Sequence, residues 1–263
     1  MDIVVCVKRV PDTSEADVII AKDERTVEAG DLVFDINEWD KYAVEEAVLL
    51  KEKYGGTVTA VTLGPDETED TLRRCFATGA DKAIRLTDSA FEGSDAAAIA
   101  KIIHQAVKDL KFDLIFTGTQ ASDDGYGQVG PVLASLLGTP HASVVTQVDI
   151  ADGKARVQRE LEGGLSEVVE VPLPAVLTIQ TGINEPRYVS IMGVRKAAGK
   201  EIETAGLADL GLTAEDVGEK GSMTKVERLF LPPVTKEAEI IQGSPDEAST
   251  RLAQIIKDKG GFS

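Results

Sequence analysis

The chain has 263 residues, with 28 Lys and Arg against 45 Asp and Glu, for a formal net charge of −17. That balance argues against nucleic acid as a general partner, because neutralising phosphates takes clustered Lys and Arg. No stretch approaches the roughly 18 consecutive apolar residues of a membrane-spanning helix, so no direct membrane insertion is expected.

The stretch DIVVCV (2–7) is rich in β-branched residues and bounded by polar ones. It predicts a core strand rather than a signal peptide, with Cys6 as a small apolar residue within it. Residues 39–53 place Ala43, Val44, Ala47, Val48 and Leu50 on one helical face. Asn37 with Asp40 three residues on resembles a capping arrangement, and EEAVLLKEK (45–53) reads as a solvated helix face. TVTAVTLG (57–64) is a second strand, and ETEDTLRRCFATGA (67–80) is a helix closed by Gly79. KAIRL (82–86) is a weaker strand. A helix over 94–110 starts at Ser94 as N-cap, with Asp95 in its first turn. DLIFTG (113–118) is another strand. The two cysteines, Cys6 and Cys75, both fall in core-like segments. Their scarcity fits a reducing, cytoplasmic setting without a disulfide framework. Strands alternating with helices imply right-handed crossovers and a mainly parallel α/β sheet. Ligands of such sheets bind outside the carboxyl ends of the strands, near the point where the strand order reverses.

At that kind of junction lies GTQASDDGYGQVGPVLASLLG (118–138). A strand ends at Thr117–Gly118, small residues follow, and a helical pattern begins near Gly127–Gln128. The free N–H groups of a helix start make an anion site. Asp123 and Asp124 would repel a phosphate at contact distance, and fit better as caps of loop amides or acceptors from ribose hydroxyls. The stretch is neither G-x-G-x-x-G nor a P-loop, and ordinary turn chemistry accounts for its composition as well as nucleotide binding does.

Past residue 142 the pattern changes. ASVVTQVDI, KARVQREL, LSEVVEVPL and PAVLTIQ follow one another without helices, with turn signals at ADGK (151–154) and EGG (162–164). They predict an antiparallel ribbon added to the sheet. From 181 onward the chain is loopier, with a last helix from Ser244–Pro245. So long and weakly periodic a tail fits wrapping of another surface better than independent folding.

Three stretches, VVCVKRVPD (4–12), NEWDKYAVEEAVLLKEK (37–53) and INEPRYVSIMGVRKA (183–197), taken with GTQASDDGYGQVG, resemble the beta subunit of electron transfer flavoproteins. The resemblance covers nearly the whole chain, in order. It implies a Rossmann-like mainly parallel sheet with helices on both faces, an antiparallel ribbon extension and a C-terminal arm. The corresponding division is 1–180 for the nucleotide-binding domain, 181–200 for a partner-recognition loop and 201–263 for an arm around an alpha subunit. It also implies a heterodimer, not itself a catalyst, whose alpha subunit holds most of a redox-active FAD and which passes electrons from dehydrogenases to an acceptor. The beta chain would contribute one side of the flavin environment, through Pro11–Ser14, and would bury a structural AMP.

Matched position by position, the AMP pocket falls on Cys6, on Asn37, Glu38, Trp39 and Asp40, and on Leu63. The rest is Gly118, Thr119, Gln120, Ala121, Ser122 and Asp123, followed by Asp124, Gly125, Tyr126, Gly127, Gln128 and Val129. Many members read N-P-F-C where this chain reads NEWD, which resembles the branch serving methylotrophic amine dehydrogenases. QVGP (128–131) is similar to electron-bifurcating members, which hold a second FAD in place of AMP, whereas QRELEGGL (158–165) is similar to the ordinary ones. AMP is therefore the expected ligand and a second FAD the alternative.

The family's recognition loop, which docks the partner dehydrogenase, falls on Asn184, Glu185, Pro186, Arg187 and Tyr188, with Ile191 as the anchoring aliphatic and Met192 beside it. Met192 adapts readily to different partners, and Arg187, Arg195 and Lys196 could steer docking. Arg187 fits equally well as a buried bidentate partner of a carboxylate. His104 and His141 lack neighbours at metal-ligand spacing, so no metal site is expected. Trp39 fits simple core packing at a helix start better than stacking on adenine. Two further classes have less support. An ATP-splitting enzyme would want a Ser-Gly-Gly-x-Asp-Ser loop where this chain has KRVPDTSEAD. A stand-alone adenine-nucleotide-binding protein would leave the ribbon and arm unexplained.

Overall fold

Alternation along the first strand sets the layers. Strand β1 (Asp2–Cys6) sends Ile3 and Val5 to one side of the sheet and Val4 and Cys6 to the other. In a pleated strand successive side chains must diverge in this way. Ile3 and Val5 pack with Ala43, Val44 and Ala47 of α1 (Glu38–Tyr54) and with Leu72 and Cys75 of α2 (Glu69–Thr78). Val4 and Cys6 pack with Ile102 and Ile103 of α3 (Ala96–Val107) and with Leu133 and Ala134 of α4 (Val129–Leu137). The computed structural model describes residues 1–14, 17–30, 32–233, 238 and 240–261.

The remaining strands are β2 (Arg9–Asp12), β3 (Val33–Ile36), β4 (Thr57–Leu63), β5 (Lys82–Leu86) and β6 (Leu114–Gly118). They continue with β7 (His141–Ala151), β8 (Lys154–Leu161), β9 (Leu165–Pro172), β10 (Ala175–Ile179) and β11 (Glu203–Ala205). The main sheet runs β11-β5-β4-β1-β6-β10-β7-β8-β9. It is parallel from β11 to β7 and antiparallel over β7-β8-β9, while β2 and β3 form a separate antiparallel pair. The α/β sandwich is the expected class. The segment after 142 is more deeply woven than a simple ribbon: β10 returns to lie between β6 and β7, and all five of its residues are buried. An AVLTI sequence with no polar alternation is the pattern of a strand covered on both faces.

Several boundaries differ from expectation for local reasons. Helix α3 is capped by Asp95, not Ser94, because the Asp95 carboxylate accepts from the N–H groups of Ala97 and Ala98 at 3.0 Å each. Ser94 instead accepts from the Gly218 N–H. Asn37 precedes α1 without capping it through its side chain. Gly79 closes α2, as its position predicts.

Residues Met1–Glu227 and Arg228–Ser263 form two units. The first also contains α5 (Ile191–Ala197) and the short α6 (Gly218–Gly221). The second contains α7 (Pro245–Asp258), which starts at Ser244–Pro245 as expected and is opened by a reciprocal capping box between Ser244 and Glu247. Of the expected arm, residues 234–237, 239 and 262–263 lie outside the described residues.

Candidate functional site

The strand order reverses between β1 and β6, and a cavity of about 150 Å³ opens at their carboxyl ends. Cys6, Val7 and Lys8 border it at the end of β1, Val61–Leu63 border it from β4, and Thr117–Ala121 border it at the end of β6 and just beyond. Ile99 and Ile103 of α3 make an apolar wall. Asp124, Tyr126 and Gly127 roof it, and the first turn of α4 with Gln128, Val129 and Gly130 closes the far side. Asn37 and Asp40 reach it from α1.

Asn37 and Asp40 build this place by fixing the loop. The Asn37 amide donates to the Gln120 carbonyl at 2.8 Å, and its oxygen accepts from the Ser122 N–H at 3.1 Å. Asp40 accepts from the Lys8 N–H at 2.7 Å and from the Gly118 N–H at 3.0 Å, joining the ends of β1 and β6. Gly118 has no room for a side chain, since a Cβ there would press on the Asp40 carboxylate and lie 2.8 Å from the Trp39 Cβ. Burial pushes the Asp40 carboxyl up to about 7, against the lowering effect of these hydrogen bonds. Burial likewise raises the Cys6 thiol to about 12, with the Asp40 charge adding to it, so Cys6 is an apolar lining group and a poor nucleophile.

Lys8 bridges the mouth. Its Nζ donates to Asp123 at 2.7 Å and to Asp124 at 2.8 Å. Burial opposes its charge, but the two carboxylates outweigh that and hold its pKa above the ordinary lysine value. Asp123 and Asp124 also accept loop N–H groups, from Asp124 and Tyr126 respectively. Both acids thus cap loop amides and, in addition, neutralise a lysine. Sequence reasoning missed Lys8. Its signal was its place, directly after a strand ending at a switch point.

Five of the anticipated residues stand off the cavity lining: Glu38, Trp39, Ser122, Asp123 and Gly125. Glu38 is exposed, and Trp39 donates its indole N–H to Gln180 at 2.7 Å.

The second anticipated surface lies around a groove of about 950 Å³, bordered by Pro186, Arg187, Tyr188 and Ile191 and by Arg73, Arg74 and Arg195. Tyr188, Ile191 and Met192 are 89%, 71% and 68% exposed. Glu185 is exposed and Asn184 half-buried. Asn184 donates to the Tyr42 carbonyl and to Glu46, at 3.1 and 3.0 Å. Arg187 forms a forked pair with Glu45 at 2.9–3.0 Å and a second pair with Glu52 at 2.8 Å. The face of α1 expected to be solvated is therefore occupied here: Glu45 and Glu46 are both buried. Their partners lie about 140 residues further along the chain.

Among the described residues no group of three or more His, Cys, Asp and Glu is placed to hold a metal ion, and no helix is long and apolar enough to cross a membrane. The model of the electron transfer flavoprotein domain family matches residues 26–210. The chain is 42% identical to the electron transfer flavoprotein subunit beta of Methylophilus methylotrophus, over 99% of this chain and 100% of that one. It is 38% identical to the protein of the same name from Bacillus subtilis, over 98% of each. It is 37% identical to a caffeyl-CoA reductase-Etf complex subunit, CarD, of Acetobacterium woodii, over 98% of this chain and 99% of that one. A family match over most of the length, and relatives aligned end to end, make this chain a member of the electron transfer flavoprotein beta-subunit family.

Proposed function

We propose that this chain is the non-catalytic beta subunit of a heterodimeric electron transfer flavoprotein, that it carries a structural AMP, and that it borders an FAD held mainly by an alpha subunit. The observation that carries the reading is the cavity at the switch point, roofed by Gly118–Val129. Its donor set suits a mononucleotide. Leu63, Ile99 and Ile103 offer an apolar wall for a base, while the N–H groups at the first turn of α4 offer positive character for a phosphate. Asn37 and Asp40 fix the loop, and a ligand that binds only the folded chain stabilises it by mass action. The FAD, when bound, supplies the electron-carrying chemistry, with Pro11–Ser14 as this chain's contribution to its surroundings.

Residues 184–192 are the dock for a partner dehydrogenase in this reading. Exposed Tyr188, Ile191 and Met192 support it, since interface anchors are large side chains that insert into partner pockets. Arg73, Arg74 and Arg195 around the groove gather positive charge in an otherwise acidic chain. The arm that wraps the alpha subunit is the segment from Arg228 onward, since β11 and the residues up to Glu227 belong to this chain's first unit, and Leu252, Ile255 and Ile256 of α7 give it apolar contacts.

A second FAD in place of AMP is the other reading, favoured by QVGP at 128–131 and by the likeness to a subunit of a caffeyl-CoA reductase-Etf complex. The ribbon sequence QRELEGGL at 158–165, similar to that of the ordinary members, favours AMP. Co-expression with the cognate alpha subunit, denaturation of the purified pair and chromatography of the released nucleotides decides it. One FAD and one AMP per heterodimer is the expected result. Two FAD would overturn AMP in favour of the second reading, and a nucleotide-free beta chain would overturn both.

A further inference from the structure

An exposed segment keeps one shape only where its ends are held. Residues 188–192 carry Tyr188, Ile191 and Met192 into solvent, and an arginine ties the chain just before them and again past the end of α5. At the far end the Arg73 guanidinium donates to the Ala197 carbonyl at 3.1 Å and to the Lys200 carbonyl. At the near end, Arg187 grips Glu45 by its side chain and also donates its backbone N–H to the same carboxylate at 3.1 Å.

We propose that the Arg187–Glu45 pair is the positioning element of the docking tip, a claim that rests on reading 184–192 as the dehydrogenase dock. Three observations carry it. First, Glu45 is 3% exposed, so its direction is fixed by the packing of α1, and whatever it grips inherits that direction. Second, the grip includes main chain. The forked guanidinium and the N–H of one residue both meet one carboxylate, which sets the heading of the backbone as it enters the tip. A lysine ammonium cannot reproduce the fork. Third, the groove of about 950 Å³ beside the tip includes Ile36, Val44, Val189 and Val194 in its lining. An untethered Ile191 has an apolar place to fold into, and burial there would withdraw it from a partner. The tether keeps the anchor out.

The consequence is quantitative. If the competent tip falls to a tenth of the population, the apparent affinity for the partner falls about tenfold while turnover of the complex is unchanged. The test uses the purified heterodimer, with Arg187→Met, Arg187→Lys, Glu45→Gln and Ile191→Ala. Two readouts are needed: amide hydrogen exchange over 188–194, and reduction kinetics with a methylotrophic amine dehydrogenase as electron donor. Arg187→Met and Arg187→Lys are expected to speed exchange over 188–194. They should also raise the apparent KM for the donor about tenfold with kcat close to the parent's. Ile191→Ala is expected to raise KM without changing exchange. Unchanged exchange in both Arg187 variants overturns the positioning claim, and so does an unchanged KM in both when Ile191→Ala raises it. An unchanged KM for Ile191→Ala, or a parent that the donor does not reduce, overturns the docking reading, while exchange still reports whether the tether holds the tip. Should Arg187→Met fail to fold, Arg187→Lys and Glu45→Gln carry the same comparison.

Discussion

Lys8 and Asp123 meet at 2.7 Å across 115 residues of sequence, and Asp124 joins the same ammonium at 2.8 Å. The strand that starts the fold is thus tied to the loop that roofs its cavity by one lysine and two acids. Replacing Lys8 by Met leaves adjacent carboxylates without their counter-charge, so the roof should loosen. With the proposed AMP in the cavity, the expected outcome is severalfold faster loss of that nucleotide on dilution, followed by chromatography. In the parent, loss should quicken as salt is raised, since partly exposed ion pairs are screened, and in the variant that dependence should shrink.

Gly127 takes φ +61°, and a Cβ there would sit 3.2 Å from the Thr119 carbonyl oxygen. A β-branched residue meets both the left-handed backbone penalty and the crowding. Gly127→Val should cost about 1–3 kcal/mol, a fall in Tm of several degrees by differential scanning calorimetry, with reduced nucleotide content. A full nucleotide complement with an unchanged melting curve would remove the loop from the site.

Asp40 gives stability an unusual slope. Its carboxyl sits near 7 when folded against 3.8 for the unconstrained group, so the folded state holds the proton more tightly. The stabilisation is present at low pH and is lost as pH rises through about 7. Between pH 6 and 8 this amounts to roughly 1.4 kcal/mol, the value of one pKa unit. Urea titrations across that window should show the loss in the parent and its absence in Asp40→Asn.

The two thiols should separate under alkylation. Burial raises both Cys6 and Cys75 to about 12, so neither should react quickly with iodoacetamide in the native holoprotein at pH 8. Cys6 borders the cavity and Cys75 lies on the buried face of α2. Stripping the nucleotide should therefore expose Cys6 first, as peptide mass spectrometry would record. Fast labelling of Cys75 in the intact protein would contradict this packing.

What was legible in the sequence was what depends on neighbours in the chain. The periodicity of α1, the Gly79 stop, the Ser244 start and the β-branched strands are all local signals, and each element formed where it was expected. The cavity's position followed from the alternation of strands and helices. The roles within it were harder to read. Asn37 next to a helix start looks like a cap, yet both ends of its amide serve a loop more than 80 residues away. Glu45 and Glu46 look solvated in any window of α1, because the residues that bury and satisfy them arrive with Asn184 and Arg187. β10 looks like one more ribbon strand until the sheet closes around it. Long-range partners of polar groups leave no periodic trace in a single chain.

Helix α1 meets the loop at 118–122 through residues 37 and 40, and meets the tip-bearing segment through residues 45, 46 and 52. Each residue added to a helix turns the remainder of that helix by about 100° and advances it about 1.5 Å. One inserted residue between Asp40 and Glu45 would leave every contacting side chain in place by name and none in phase: either the loop or the tip could be held, not both. The spacing along α1 thus matters as much as the residues themselves, and a length change there should be more damaging than most substitutions.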